Sequence, residues 1–74
     1  MAKIVLRLHL TGGDRMDVAY EDPDVADPDQ LLDHALSTLA DDAGMLRVEH
    51  GERLVVVYGR GVAAVQVAPR GAVL

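Results

Sequence analysis

Apolar positions change their spacing twice along this chain, and each change marks an element. Over residues 3–10, Ile4, Leu6, Leu8 and Leu10 alternate with Lys3, Val5, Arg7 and His9. A period of two predicts a strand with one buried face. Thr11-Gly12-Gly13-Asp14 is a turn signal, because glycine accepts positive φ. Residues 15–20 alternate again, with Met16, Val18 and Tyr20 on one side. The two runs predict a β-hairpin.

The spacing then becomes helical. Residues 21–29 form a polar loop holding two prolines. Asp27 suits the N-cap, Pro28 the first helical position, and Gln30 the third position after the cap, which together make a capping box. Asp29 adds negative charge where the helix dipole favours it. Leu31, Leu32, Ala35, Leu36, Leu39 and Ala43 fall on one face. Gly44 is the expected C′ stop. The pattern predicts a helix over 28–43.

After Gly44 the period returns to two. Strands are expected at 45–50, 53–59 and 62–68, with turns at Gly51-Glu52 and Arg60-Gly61 and an end at Pro69 and Gly71. The order is β-β-α-β-β-β. This describes one α+β domain over 1–74, with a helix packed on a curved, mostly antiparallel sheet, β-grasp-like or a small half-barrel. One feature departs from the usual alternation. Over 54–58 both faces are apolar, and 62–68 is similar apart from Gln66. A sheet covered by one helix should turn polar residues to water on its other face. Either the sheet curls into a small barrel or another chain covers the second face. On the second alternative, Val55, Val57, Ala63, Val65 and Val67 are the expected interface.

Composition sharpens this reading. The chain has 74 residues, half of them hydrophobic and 26 % charged, which excludes disorder of the whole. It has no Phe and no Trp, so the core is built from Val, Leu and Ala with two tyrosines. Such side chains bury little area per ordered residue, and a domain this small gains from a partner surface. A homo-oligomer, dimer or ring, is expected. Six of the seven bases are arginine and nine of the twelve acids aspartate. That usage follows GC-rich codons and suggests an actinobacterial or phage genome. The longest apolar run, 54–58, is too short to span a bilayer, and no leader is read from the N-terminus. The expected location is the cytoplasm.

Charge is uneven. Residues 14–33 carry eight acids and one base, a balance of −7, whereas the rest carries +2. The acidic loop with Asp22, Asp24, Asp27 and Asp29 reads as a solvated connector that caps the helix, or as a dock for a basic protein. Nucleic acid is not an expected partner, because phosphate neutralisation needs clustered Lys and Arg. Arg7, Arg47, Arg53 and Arg60 would form a basic stripe only if the fold brings them together.

No constellation points to catalysis or a cofactor. There is no cysteine. Asp22, Asp24 and Asp33 match three positions of a calcium loop, but Ala26 and Asp27 break the pattern. His9, His34 and His50 lack metal-ligand spacing. Ser37 and Thr38 lie within the helical run without an attendant base. Gly59-Arg60-Gly61 continues into a strand, not a helix, and reads as a hairpin turn.

Three resemblances follow from these residues. The alternating first strand, the Leu10-Thr11-Gly12 turn and the helix after the hairpin are similar to the ubiquitin-like β-grasp order. The tail Gly71-Ala72-Val73-Leu74 lacks the terminal Gly-Gly used in conjugation. Val57-Tyr58-Gly59-Arg60-Gly61-Val62, followed by Val65 and Val67, resembles the second signature of bacterial Sm-like RNA chaperones, with Gly59-Arg60 where that family carries Lys-His. Residues 44–68 are similar to the C-terminal half of small uncharacterised actinobacterial domains. The leading expectation is a non-enzymatic protein-interaction module that self-associates through an apolar sheet face. The alternatives are a Sm-like nucleotide- or RNA-binding ring, with Arg47, Arg53 and Arg60 converging, and a phage virion component or acidic inhibitor of a host protein.

Overall fold

The computed structural model describes residues 2–67. Its elements run β1 (Ala2–Leu10), β2 (Arg15–Asp22), α1 (Pro28–Leu39), β3 (Met45–His50), β4 (Arg53–Tyr58), a 3₁₀ turn (Gly59–Gly61) and β5 (Val62–Val67). The five strands form one antiparallel sheet in the order β4-β3-β2-β1-β5. With the single helix this is the expected α+β domain. The expected strand end at 68–71 and the tail 72–74 lie outside the described residues.

The β1–β2 hairpin pairs over eight residues, from Ala2 with Asp22 to His9 with Arg15. Its turn is closed by Leu10 N–H donating to the Asp14 carbonyl at 2.8 Å, and Gly13 takes φ 97°. That left-handed backbone is why glycine is needed there. Leu6, Leu8 and Val18 are fully buried beneath α1, which adds Leu31, Ala35 and Leu39 to the core.

The helix is shorter than its periodicity suggests. Asp27 caps it, its Oδ1 accepting from the Asp29 N–H at 2.9 Å, so the cap bond goes to Asp29 and no reciprocal bond comes from Gln30. The helix ends at Leu39 with Ala40 as C-cap, not at Ala43. Asp41 draws the chain out of it: its Oδ1 accepts from the Ala43 N–H at 3.0 Å, and its carbonyl accepts from Gly44. Such local bonds compete with helical ones. The buried stripe is Leu31, Ala35 and Leu39, with Leu36 40 % exposed and Ala43 beyond the helix. Gly44 is not a positive-φ stop. It lies so close to the helix end that a Cβ would strike the Thr38 carbonyl. Gly59 is held likewise against the carbonyls of Leu39 and Asp41, and its N–H donates to the Gly44 carbonyl at 3.0 Å. These two glycines seat the β3–β4 hairpin against the helix terminus.

Connectivity requires the sheet to curl. β4 and β5 are consecutive in sequence yet lie on opposite edges. Four residue steps from Tyr58 to Val62 span at most about 14 Å. Five flat strands would set their outer members about 19 Å apart. The two edges therefore converge at this end, where Thr11 N–H donates to the Gly61 carbonyl at 3.0 Å. The sheet is loosely joined only at the seam between β2 and β3. β2 and β3 share a single pair, Ala19 with Glu49, and α1 packs against β1, β2 and β3 across that seam.

Candidate functional site

Strand register decides which residues look outward. Positions paired across neighbouring strands share a face, so Val5, Arg7, Ala19, Asp17 and Gln66 lie opposite the helix. Glu49 pairs with Ala19 and with Leu54. This places Met45, Arg47 and Glu49 of β3, and Leu54, Val56 and Tyr58 of β4, on the open face. Leu46, Val48, Val55 and Val57 face the helix.

The expected interface is thereby corrected. Val57 is 7 % exposed and belongs to the core, and Val55 and Val65 pack against it. They cannot be the outer face of their strands. Ala63 and Val67 are exposed, but Val67 pairs with Leu6 and so lies on the helix side near the β5 edge. The apolar side chains that do meet water are Leu54 (68 % exposed), Met45 (59 %), Tyr58 (43 %) and Val56 (42 %). β5 adds little to this outward surface. Its open-face positions are Ala64 and Gln66.

Outward apolar character is thus concentrated at one end of the sheet. The rest of the open face is mostly charged or polar, with Val5, Ala19 and Ala64 among these groups. Arg7 grips Asp17 through Nε at 2.7 Å and Nη2 at 3.1 Å. Hydrogen bonding to Asp17 raises the Arg7 pKa, desolvation opposes this, and the carboxylate charge adds to it. His9 Nε2 lies 2.9 Å from Gln66 Oε1. His50 Nδ1 lies 2.6 Å from the Asp17 carbonyl, so a side chain bridges the seam where the β2–β3 ladder is short. His34 stacks on Tyr20 with ring centroids 6.4 Å apart. Burial raises the Tyr20 pKa above its ordinary value, and the charge of Asp22 adds to the shift.

β4 is bordered by charge. Arg60 carries its guanidinium 4.8 Å from the centroid of the Tyr58 ring, a cation–π arrangement at the upper end of the strand. Glu52 occupies the turn at the lower end. Arg53 and Arg60 stand at opposite ends of β4, roughly 20 Å apart along the chain. The fold therefore does not gather Arg47, Arg53 and Arg60 into one patch of a single chain. Beside β4, towards the β1–β2 turn, opens a groove of about 450 Å³ lined by Leu10, Met16, Val55, Val57, Tyr58 and Arg60.

The acidic loop is largely occupied with its own backbone. Asp22 Oδ1 accepts from the Asp24 N–H at 2.9 Å, and Asp27 caps the helix. Asp24 and Asp29 are exposed. Among the described residues no group of three His, Asp or Glu side chains is placed to hold a metal ion, and no helix is long and apolar enough to cross a membrane.

Comparison with protein-family models, with curated proteins and with solved structures finds no match. The surface itself therefore carries the functional reading.

Proposed function

We propose that this chain is a non-enzymatic protein-interaction module that self-associates through the outward row of β4. One observation carries the reading. Leu54, Val56 and Tyr58, with Met45 beside Tyr58, expose apolar side chains together on an edge strand of the sheet. Contiguous exposed apolar surface at a sheet edge marks an association site in small domains. The core beneath contains no residue larger than tyrosine, so covering this row also adds burial that the fold alone lacks. Each half-exposed Leu or Val that becomes covered contributes about 1 kcal/mol.

The other readings gain less. An RNA-binding rim needs arginines gathered at one place, and Arg53 and Arg60 bracket β4 instead. An acidic inhibitor would rest on Asp24 and Asp29, because Asp22 and Asp27 are engaged in the turn and the cap. The test is native mass by light scattering over a dilution series. The expected result is a discrete oligomer at micromolar concentration that Val56→Asp converts to a monomer with unchanged circular dichroism. A monomer at every concentration would overturn the reading.

A further inference from the structure

We infer that the partner is a second copy joined edge to edge, β4 against β4, about a two-fold axis through Val56. This rests on the self-association reading above and specifies its geometry.

The backbone of β4 is set for such pairing. The two-residue Gly51-Glu52 turn makes His50 and Arg53 the hydrogen-bonded pair that closes the β3–β4 hairpin. Gly59, of the same parity, donates to Gly44. By alternation Arg53, Val55 and Val57 bond inward to β3, and Leu54, Val56 and Tyr58 turn their N–H and C=O groups to the free edge. The residues that offer backbone bonds are therefore the ones that offer apolar side chains on the open face.

Apolar matching selects the register, and charge closes its ends. With Val56 on the axis, an antiparallel partner sets Val56 opposite Val56 and Leu54 opposite Tyr58 of the second copy. Beyond the paired strands, the same arrangement brings the Glu52 turn of each copy toward the Arg60 turn of the other, once at each end. Opposite charges thus close both ends of an apolar centre, and the ring of Tyr58 under the guanidinium keeps Arg60 on the same side. Moving the register by two residues sets Glu52 opposite Tyr58 or Leu54 opposite Arg60, so one apolar residue of each row loses its apolar partner. The product is one continuous antiparallel sheet of ten strands, with an isologous contact that closes on itself.

The chain has no cysteine, so one introduced thiol reports the axis without interference. Hydrogen-bonded antiparallel pairs hold Cα atoms about 5.5 Å apart, within disulfide reach. Val56→Cys in the full chain is expected to oxidise to a covalent dimer. Leu54→Cys, about 13 Å from its own copy in this register, is expected to stay monomeric on a denaturing gel. Glu52→Arg and Arg60→Glu should each weaken association about three- to fivefold, and the double exchange Glu52→Arg/Arg60→Glu should restore it. Val56→Pro removes an outward N–H, fixes φ and replaces the valine side chain, and should abolish the dimer. An oligomeric wild type in which Val56→Cys does not cross-link, or one larger than a dimer, overturns edge pairing and leaves self-association standing. A wild type that is monomeric throughout overturns both.

Discussion

The two edges of the sheet are treated differently. β4 is regular, pairs with β3 over all six residues, and presents Leu54, Val56 and Tyr58 outward with neither proline nor bulge. β5 is also six residues long, but its register against β1 shifts between His9 and Leu10, and its open-face positions are Ala64 and Gln66. Bulges and polar or small side chains are how sheet proteins blunt an edge. One edge is blunted and the other is regular and apolar. The contrast is informative because both segments read alike in sequence, as short apolar runs after a glycine turn. On the proposal above, the apolar surface that a chain without large aromatics leaves outside lies on the edge that pairs with another strand.

The largest test of this contrast lies on the inner side of β4. Val57→Asp puts an unpaired carboxylate into the core and should cost about 4 kcal/mol or more, enough to unfold so small a domain. Thermal melting followed by circular dichroism checks it. Val56→Asp, one residue away, should leave the melt of the monomer almost unchanged. If the two variants behave alike, the assignment of faces is wrong. Next is Gly44→Ala, which drives a methyl into the Thr38 carbonyl and pushes the β3–β4 hairpin off the helix end. A loss of about 2–3 kcal/mol is expected from urea unfolding, typical of overpacking. It should loosen the β4 edge and leave the β1–β2 hairpin protected in hydrogen exchange.

Third comes Val56→Asp as an association variant. It should weaken the oligomer at least tenfold, about 1.4 kcal/mol, by light scattering. Gln66→Val sharpens the comparison from the other side. It gives β5 an outward apolar residue and removes the partner of His9, yet the bulge remains, so only a small rise in association is expected at high concentration. The smallest effect concerns neither edge. Tyr20 has its pKa raised above the ordinary 10.0 by burial and by Asp22, so the fold favours the neutral phenol. Its contribution is complete below pH 10 and is lost as pH rises through the higher folded value. Tyr20→Phe should flatten the alkaline end of a pH–stability profile and leave neutral pH unaffected.

Much of the architecture was legible because its signals are local. Two glycines between alternating runs mark the first hairpin, and Asp27-Pro28 marks the start of the helix. The helix end was less so, since Leu36 and Ala43 continue the apolar period while Asp41 competes through its own side chain. The exposed apolar row of β4 was legible only in outline. Two-sided hydrophobicity over 54–58 says that one face of β4 is left over, but period two is symmetric and cannot say which. Glu49 settles it by pairing with both Ala19 and Leu54, a non-local fact.

The same division holds for the whole chain. Its pattern alone determines the element order, the caps and turns, the uneven charge and the surplus of apolar residues near the C-terminal strands, because each depends on neighbours within a few residues. Tertiary structure alone decides that consecutive strands β4 and β5 become opposite edges, that Gly44 and Gly59 are needed for close approach, and that Val57 is core while Val56 meets water. Those outcomes depend on pairing between residues far apart in sequence. A one-residue change of parity there exchanges the buried face for the exposed one.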